Sequence, residues 1–145
     1  GNILMDGTGH IIHIDFGFIL GLSPGNVQFE RAPFKLTDEY IEMLDGRGSP
    51  LWEKFTALCN LAFLEVRSQH HRLAALVEIM VSSGLPCFKG ANGQRALQEF
   101  MGRMHLDLDR DQAIAKCQEL IDVSANHWCT TQYDKYQSYV NNISL

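Results

Sequence analysis

His13-Ile14-Asp15-Phe16-Gly17 is the stretch on which the reading of this chain turns, together with Asn2 near its start. Asp15 closes a short apolar run, His10-Ile11-Ile12-His13-Ile14. Ahead of that run stand Ile3-Leu4-Met5 and then Asp6-Gly7-Thr8-Gly9. Apolar run, Gly-bearing turn, apolar run predicts a β-hairpin. A hairpin of this length brings Asn2 and Asp15 out at the same end. An amide oxygen and a carboxylate are hard donors suited to Mg²⁺ (or Mn²⁺), which keeps some of its waters and needs only one or two protein groups.

Working outward, Phe18-Ile19-Leu20 follows, then Ser23-Pro24-Gly25-Asn26, Phe29-Glu30 and Pro33-Phe34-Lys35-Leu36-Thr37. Further on are Gly84-Leu85-Pro86-Cys87-Phe88 and, near the end, Tyr133-Asp134 with Gln137. Asp-Phe-Gly after a strand is a metal-binding signature of the kinase fold. The whole series, in this order, resembles the type III phosphatidylinositol 4-kinases of the PI3/PI4-kinase family and extends over nearly the whole chain. The resemblance implies a mainly α structure with a short β-hairpin, the C-lobe of a protein-kinase-like fold, truncated. It implies three stretches within 1–145: the end of a catalytic loop and the hairpin over 1–14, an activation segment over 15–36, and a helical C-lobe over 37–145.

The same resemblance assigns roles. Asn2 and Asp15 are the metal ligands and the catalytic residues present, with ATP as co-substrate. Leu4 and Ile14, with Asp15, would line the nucleotide site, a pocket floor that is also hairpin core. His13 falls in the His-Ile-Asp triplet as a hydrogen-bonding support. Phe16, Gly17, Arg31 and Lys35 belong to the segment that meets the substrate. The catalytic Asp of such enzymes lies upstream of the metal-binding Asn, and neither it nor a Gly-rich loop is in this sequence. The chain therefore reads as part of a larger kinase, and by itself is expected to be inactive.

Substrate class follows from charge. Each extra phosphate on an inositol ring calls for Lys or Arg. Between Phe18 and Phe34 the only cation is Arg31, with Lys35 just beyond. That suits phosphatidylinositol, whose headgroup carries a single diester phosphate. Arg31 and Lys35 are the candidates to meet that phosphate, and solvated surface cations are the alternative. The implied reaction is transfer of the ATP γ-phosphate to the 4-hydroxyl of phosphatidylinositol. The rivals are a phosphoinositide 3-kinase-related kinase, disfavoured by the scarce cations, and a non-catalytic pseudokinase or helical docking module, disfavoured by intact Asn2 and Asp15.

Composition narrows the classes. The chain has 145 residues and a net charge of −5, which argues against nucleic acid as a partner. No apolar run is long enough to span a bilayer, and no signal peptide is evident. The four cysteines, at 59, 87, 117 and 129, are scattered and read as small buried hydrophobes. By resemblance the parent is cytoplasmic, peripheral on Golgi or plasma membrane, meeting phosphatidylinositol at a membrane surface, with regulatory protein partners.

Helix signals fill the rest. Thr37 is placed to cap a first helix that Gly46 stops. Ser49-Pro50 opens a second, apolar on nearly every face and expected to run through the centre of the lobe. The spacing predicts helices over His70–Val81 and Ala91–Met104, and another capped by Asp109. The acids at 107, 109 and 111 fail as a calcium loop, because Gln112 and Gln118 stand where Gly and Glu are required. A last helix is expected from Thr130 to Asn141, with Trp128 and Tyr139 either packed or at a membrane interface. Phe16, Phe18, Phe29 and Phe34 are expected in the core, with wedging toward lipid as the alternative.

Overall fold

A computed structural model describes residues 3–17, 19–22, 32–89, 92–125, 127 and 139. The described chain is mostly helical with one two-stranded antiparallel sheet. It divides into two compact units, Gly1–Asn26 with His71–Arg103 and Val27–His70 with Met104–Leu145.

In the first unit, β1 (Ile3–Met5) pairs with β2 (Ile11–His13), with Ile3 opposite His13, Leu4 opposite Ile12 and Met5 opposite Ile11. Helix α3 (His70–Met80) reaches into this unit and leads through Gly84 to a 3₁₀ turn at Pro86–Phe88, then to α4 (Asn92–Gly102). Pro86 opens that turn because its fixed φ suits a helical start. Val77, Cys87, Phe88 and Ala96 form the core, and Leu97 and Phe100 of α4 pack against it. The opposite face of α4 shows Gln94, Arg95, Gln98 and Glu99 to solvent, so that the helix is apolar on one side and polar on the other. Gly93 lets α4 come close: a Cβ there would stand 2.7 Å from Cγ1 of Val81.

In the second unit, α1 (Asp38–Met43), α2 (Pro50–Ser68) and α5 (Arg110–Ser124) enclose a core of Leu36, Trp52, Cys117, Ile121 and Ala125. Ile121 is 1% exposed, and burying such a side chain contributes about 2–3 kcal/mol. Phe55, Cys59 and Phe63 continue the stripe begun by Trp52 along α2. Ser49 caps α2, its Oγ accepting from the Trp52 N–H at 3.0 Å and donating to the Leu44 carbonyl. Asp109 caps α5 in a reciprocal box: its carboxylate accepts from the Gln112 N–H at 2.9 Å, and Gln112 Oε1 accepts from the Asp109 N–H at 3.0 Å. Leu36 makes a parallel bridge to Ala125, and the Phe34 N–H donates to the fully buried Ser124 hydroxyl at 3.3 Å.

Several expectations change. Thr37 precedes α1 in extended conformation but makes no side-chain cap to the helix. Its hydroxyl bonds the Glu39 carboxylate instead, the main reason that carboxyl lies below its ordinary range, with Lys35 adding a smaller pull. Helix α2 is not buried all round: Leu51, Leu58, Leu61 and Val66 are exposed, while Trp52, Phe55, Cys59 and Phe63 belong to or pack against the core. Phe16 and Phe34 are exposed rather than core. Helix α5 ends at Ser124; Trp128 and most of the expected last helix lie outside the described residues. Tyr139 is described, and is 85% exposed. Cys87 and Cys117 are buried and Cys59 half-buried, all as free thiols, and burial pushes the Cys59 and Cys117 thiols up. The stop at Gly46 holds: its N–H donates to Ile41 O at 2.9 Å with φ at +82°.

Candidate active site

The ribbon is pinned at its turn by one carboxylate. Asp6 accepts from the Thr8 N–H at 2.8 Å, the Thr8 hydroxyl at 2.8 Å and the His10 N–H at 2.9 Å, and its other oxygen lies 3.1 Å from His10 Nδ1. Backbone closure adds Asp6 N–H to His10 O at 3.0 Å and Gly9 N–H to Asp6 O at 3.1 Å. The bond from the His10 backbone N–H is the largest of the influences that hold the Asp6 carboxyl at about 2. Sequence reading treated this turn only as Gly-bearing. The signal was there, since Asp two residues before Thr is the pattern of an Asx turn.

At the other end of the ribbon, Ile3 is opposite His13, so the chain enters and leaves together. Asn2 lies outside the described residues. Asp15, two residues past the strand, has φ at +61°. A short polar side chain tolerates that left-handed geometry better than a bulky one. The Gly17 N–H donates to Asp15 Oδ1 at 3.4 Å. A Cβ at Gly17 would also meet that oxygen at 3.4 Å, an ordinary contact. Asp15 is exposed. Among the described residues no three His, Cys, Asp or Glu side chains gather as a metal cluster. An ion shared with a triphosphate needs fewer protein ligands than that.

Leu4 and Ile12 are direct partners, and by strand alternation Ile14 falls on the same side of the ribbon. Expected as hairpin core, Leu4 and Ile14 are instead 48% and 41% exposed, as is Ile12 at 47%. A two-stranded ribbon cannot cover its own faces, so both sides show apolar residues, Leu4, Ile12 and Ile14 on one and Met5 and Ile11 on the other. His13 is exposed at the end of β2. Thus Leu4, His13, Ile14, Asp15, Phe16 and Gly17 all belong to one ribbon and its exit, in the first unit. Lys35 is exposed in the second unit. Arg31, and the 23–31 stretch around it, lie outside the described residues.

Comparison with known proteins bears on this arrangement. Residues 1–90 match the family described as phosphatidylinositol 3- and 4-kinase. Over 99% of its length the chain is 48% identical to phosphatidylinositol 4-kinase beta 2 of Arabidopsis thaliana, covering 13% of that protein. It is 43% identical to the phosphatidylinositol 4-kinase of Dictyostelium discoideum, covering 12% of it. It is 38% identical to phosphatidylinositol 4-kinase beta of Xenopus tropicalis, covering 18% of it. The chain thus spans less than a fifth of the length of these relatives, and its Asp-Phe-Gly turn lies inside the matched stretch. On the match across residues 1–90, the chain belongs to the phosphatidylinositol 3- and 4-kinase family.

Proposed function

We propose that this chain is part of a lipid kinase that transfers the γ-phosphate of ATP to the 4-hydroxyl of phosphatidylinositol, giving phosphatidylinositol 4-phosphate. The observation that carries the reading is identity of 43–48% over 99% of the chain with proteins named phosphatidylinositol 4-kinases. The scarcity of cations between Phe18 and Phe34 points the same way, toward a headgroup bearing one phosphate.

The donor set fits a divalent ion. Asp15 offers an exposed carboxylate at the mouth of the ribbon, and the sequence supplies Asn2 on the opposing strand's approach. Mg²⁺ (or Mn²⁺) held there would neutralise charge on the β- and γ-phosphates. Asp15 keeps its carboxylate directed by a turn that Gly17 completes. One apolar side of the ribbon, Leu4 with Ile12 and Ile14, is suited to the flat face of a purine. His13 supports the strand end. Arg31 and Lys35 are the cations available to the lipid's diester phosphate. Catalysis by such groups is positioning and electrostatic stabilisation, since phosphoryl transfer asks little covalent help from protein.

Among the described residues no helix is long and apolar enough to cross a membrane. The family resemblance, rather than that absence, carries the reading that the whole protein meets its lipid peripherally at a membrane surface, with regulatory partners. The test uses the full-length parent with ATP and phosphatidylinositol vesicles. Product resolved by ring position is expected to be the 4-phosphate, and Asp15→Ala is expected to lower turnover at least 10³-fold while thermal unfolding is unchanged. Phosphate found at the 3-position, or an Asp15→Ala enzyme at wild-type rate, defeats the reading.

A further inference from the structure

Helix α2 carries a second apolar surface, turned away from the Trp52, Phe55, Cys59 and Phe63 that meet the core. Leu58 is 55% and Leu61 61% exposed, and Ala57 and Ala62 beside them are exposed too. At helical period these four fall on one face. Lys54 stands on the same face one turn before Leu58, and Glu65 one turn after Leu61, both exposed. The order is symmetric. From either end, residues 54–65 run charge, two residues, Ala-Leu, two residues, Leu-Ala, two residues, charge, and the two charges are opposite. Large apolar side chains grouped on a surface and rimmed by charge mark a place where something docks.

We propose that the Lys54–Glu65 face of α2 is a homodimer interface, which pairs antiparallel with the same face of a second copy of this chain. A two-fold interface has to be self-complementary, because every contact occurs twice. With the axis between Cys59 and Asn60, Leu58 meets Leu61 of the second copy, Ala57 meets its Ala62, and Lys54 meets its Glu65. Two ion pairs then close the ends of the apolar patch, about 16 Å apart. Alanines at the flanks let the helix axes approach to about 8 Å. A parallel pairing in register would set Lys54 against Lys54 and Glu65 against Glu65, which is repulsive. A neighbouring element of the same protein would impose no symmetry on the face, so the symmetric order favours a second copy. One face of a helix about 28 Å long buries less than the roughly 1,200 Å² of a stable complex. The dimer is therefore weak and reversible.

The experiment is sedimentation velocity of the full-length parent from about 1 to 100 μM at low salt, where a weak dimer shows as a concentration-dependent coefficient. A monomer–dimer equilibrium with Kd of about 30 μM is expected. Lys54→Glu alone makes both end contacts repulsive, and so does Glu65→Lys alone. Each is expected to weaken self-association about tenfold. Mixed in equal amounts, the two variants are expected to form a heterodimer of about wild-type affinity, because both end contacts are attractive again. The double variant, Lys54→Glu with Glu65→Lys, is expected to dimerise like wild type. Both positions face solvent, so Tm is expected to stay within about 2 °C throughout, which separates loss of pairing from loss of fold. The proposal is overturned by a parent that stays monomeric at about 100 μM, by single reversals that self-associate like wild type, or by a mixture that pairs no better than its components. A monomeric parent whose Tm falls on Leu58→Asp assigns the face to a further part of the same protein. None of these readouts depends on kinase activity, so they stand apart from the functional reading.

Discussion

Arg67, near the end of α2, holds a loop by its backbone. Its Nε donates to the Met104 carbonyl at 2.9 Å and its Nη2 to the His105 carbonyl at 2.9 Å and the Leu108 carbonyl at 2.5 Å. These residues lead into α5, and the loop carries His105 in a left-handed conformation with φ at +46°. Leu108 N–H closes a turn on His105 O at 3.1 Å, so the three accepted bonds and this turn form one unit. Arg67→Ala removes three charge-assisted donors at a part-buried site. Bonds to a charged group are worth about 1.5–3 kcal/mol each, and partial access of water to the freed carbonyls reduces the sum, giving about 3–4 kcal/mol of destabilisation. At roughly 3 °C per kcal/mol for a cooperative unit of this size, the midpoint of the transition in which this part of the parent unfolds falls by about 10 °C. Arg67→Lys recovers little, because an ammonium cannot span three carbonyls as a planar fork does. The assay is thermal unfolding of the full-length parent with amide exchange over the 104–109 peptide, which is expected to lose protection first. An Arg67→Ala protein that melts within 2 °C of wild type, with that peptide equally protected, would refute the reasoning.

Two further outcomes follow from packing and charge. Gly93→Ala places a methyl 2.7 Å from Cγ1 of Val81, and overpacking of that kind costs about 1–3 kcal/mol; the double variant with Val81→Ala is expected to be less destabilised than the two single changes summed, as a double-mutant cycle by denaturant unfolding will read. The Asp6 carboxyl is held at about 2, against 3.8 for an unperturbed one. A depressed folded value means its contribution to the turn is complete above about pH 4 and lost as pH falls through about 2. NMR titration is expected to show the Thr8 and His10 amides shifting in that window, and Asp6→Asn to remove the transition.

The strand pattern, the caps at Ser49 and Asp109 and the stop at Gly46 were legible because each depends on neighbours within a few residues. Local chemistry there has one low-energy answer. Thr37 was misread because a hydroxyl has two acceptors in reach, a helix N–H and the Glu39 carboxylate, and spacing cannot rank them. The burial of α2 was misread because periodicity counts apolar residues without knowing which of them another helix will cover.

The sequence by itself determined the ribbon, the placement of Asp15 at its mouth and the scarcity of positive charge in the stretch after it, since these depend on residue identity and order alone. Only the tertiary structure decided that Arg67 ties down a loop 37 residues away, that Gly93 admits Val81, and that Leu20 and Gly21 turn left-handed against α4. Each of these joins atoms distant along the chain, and such contacts exist only once packing has brought their elements together.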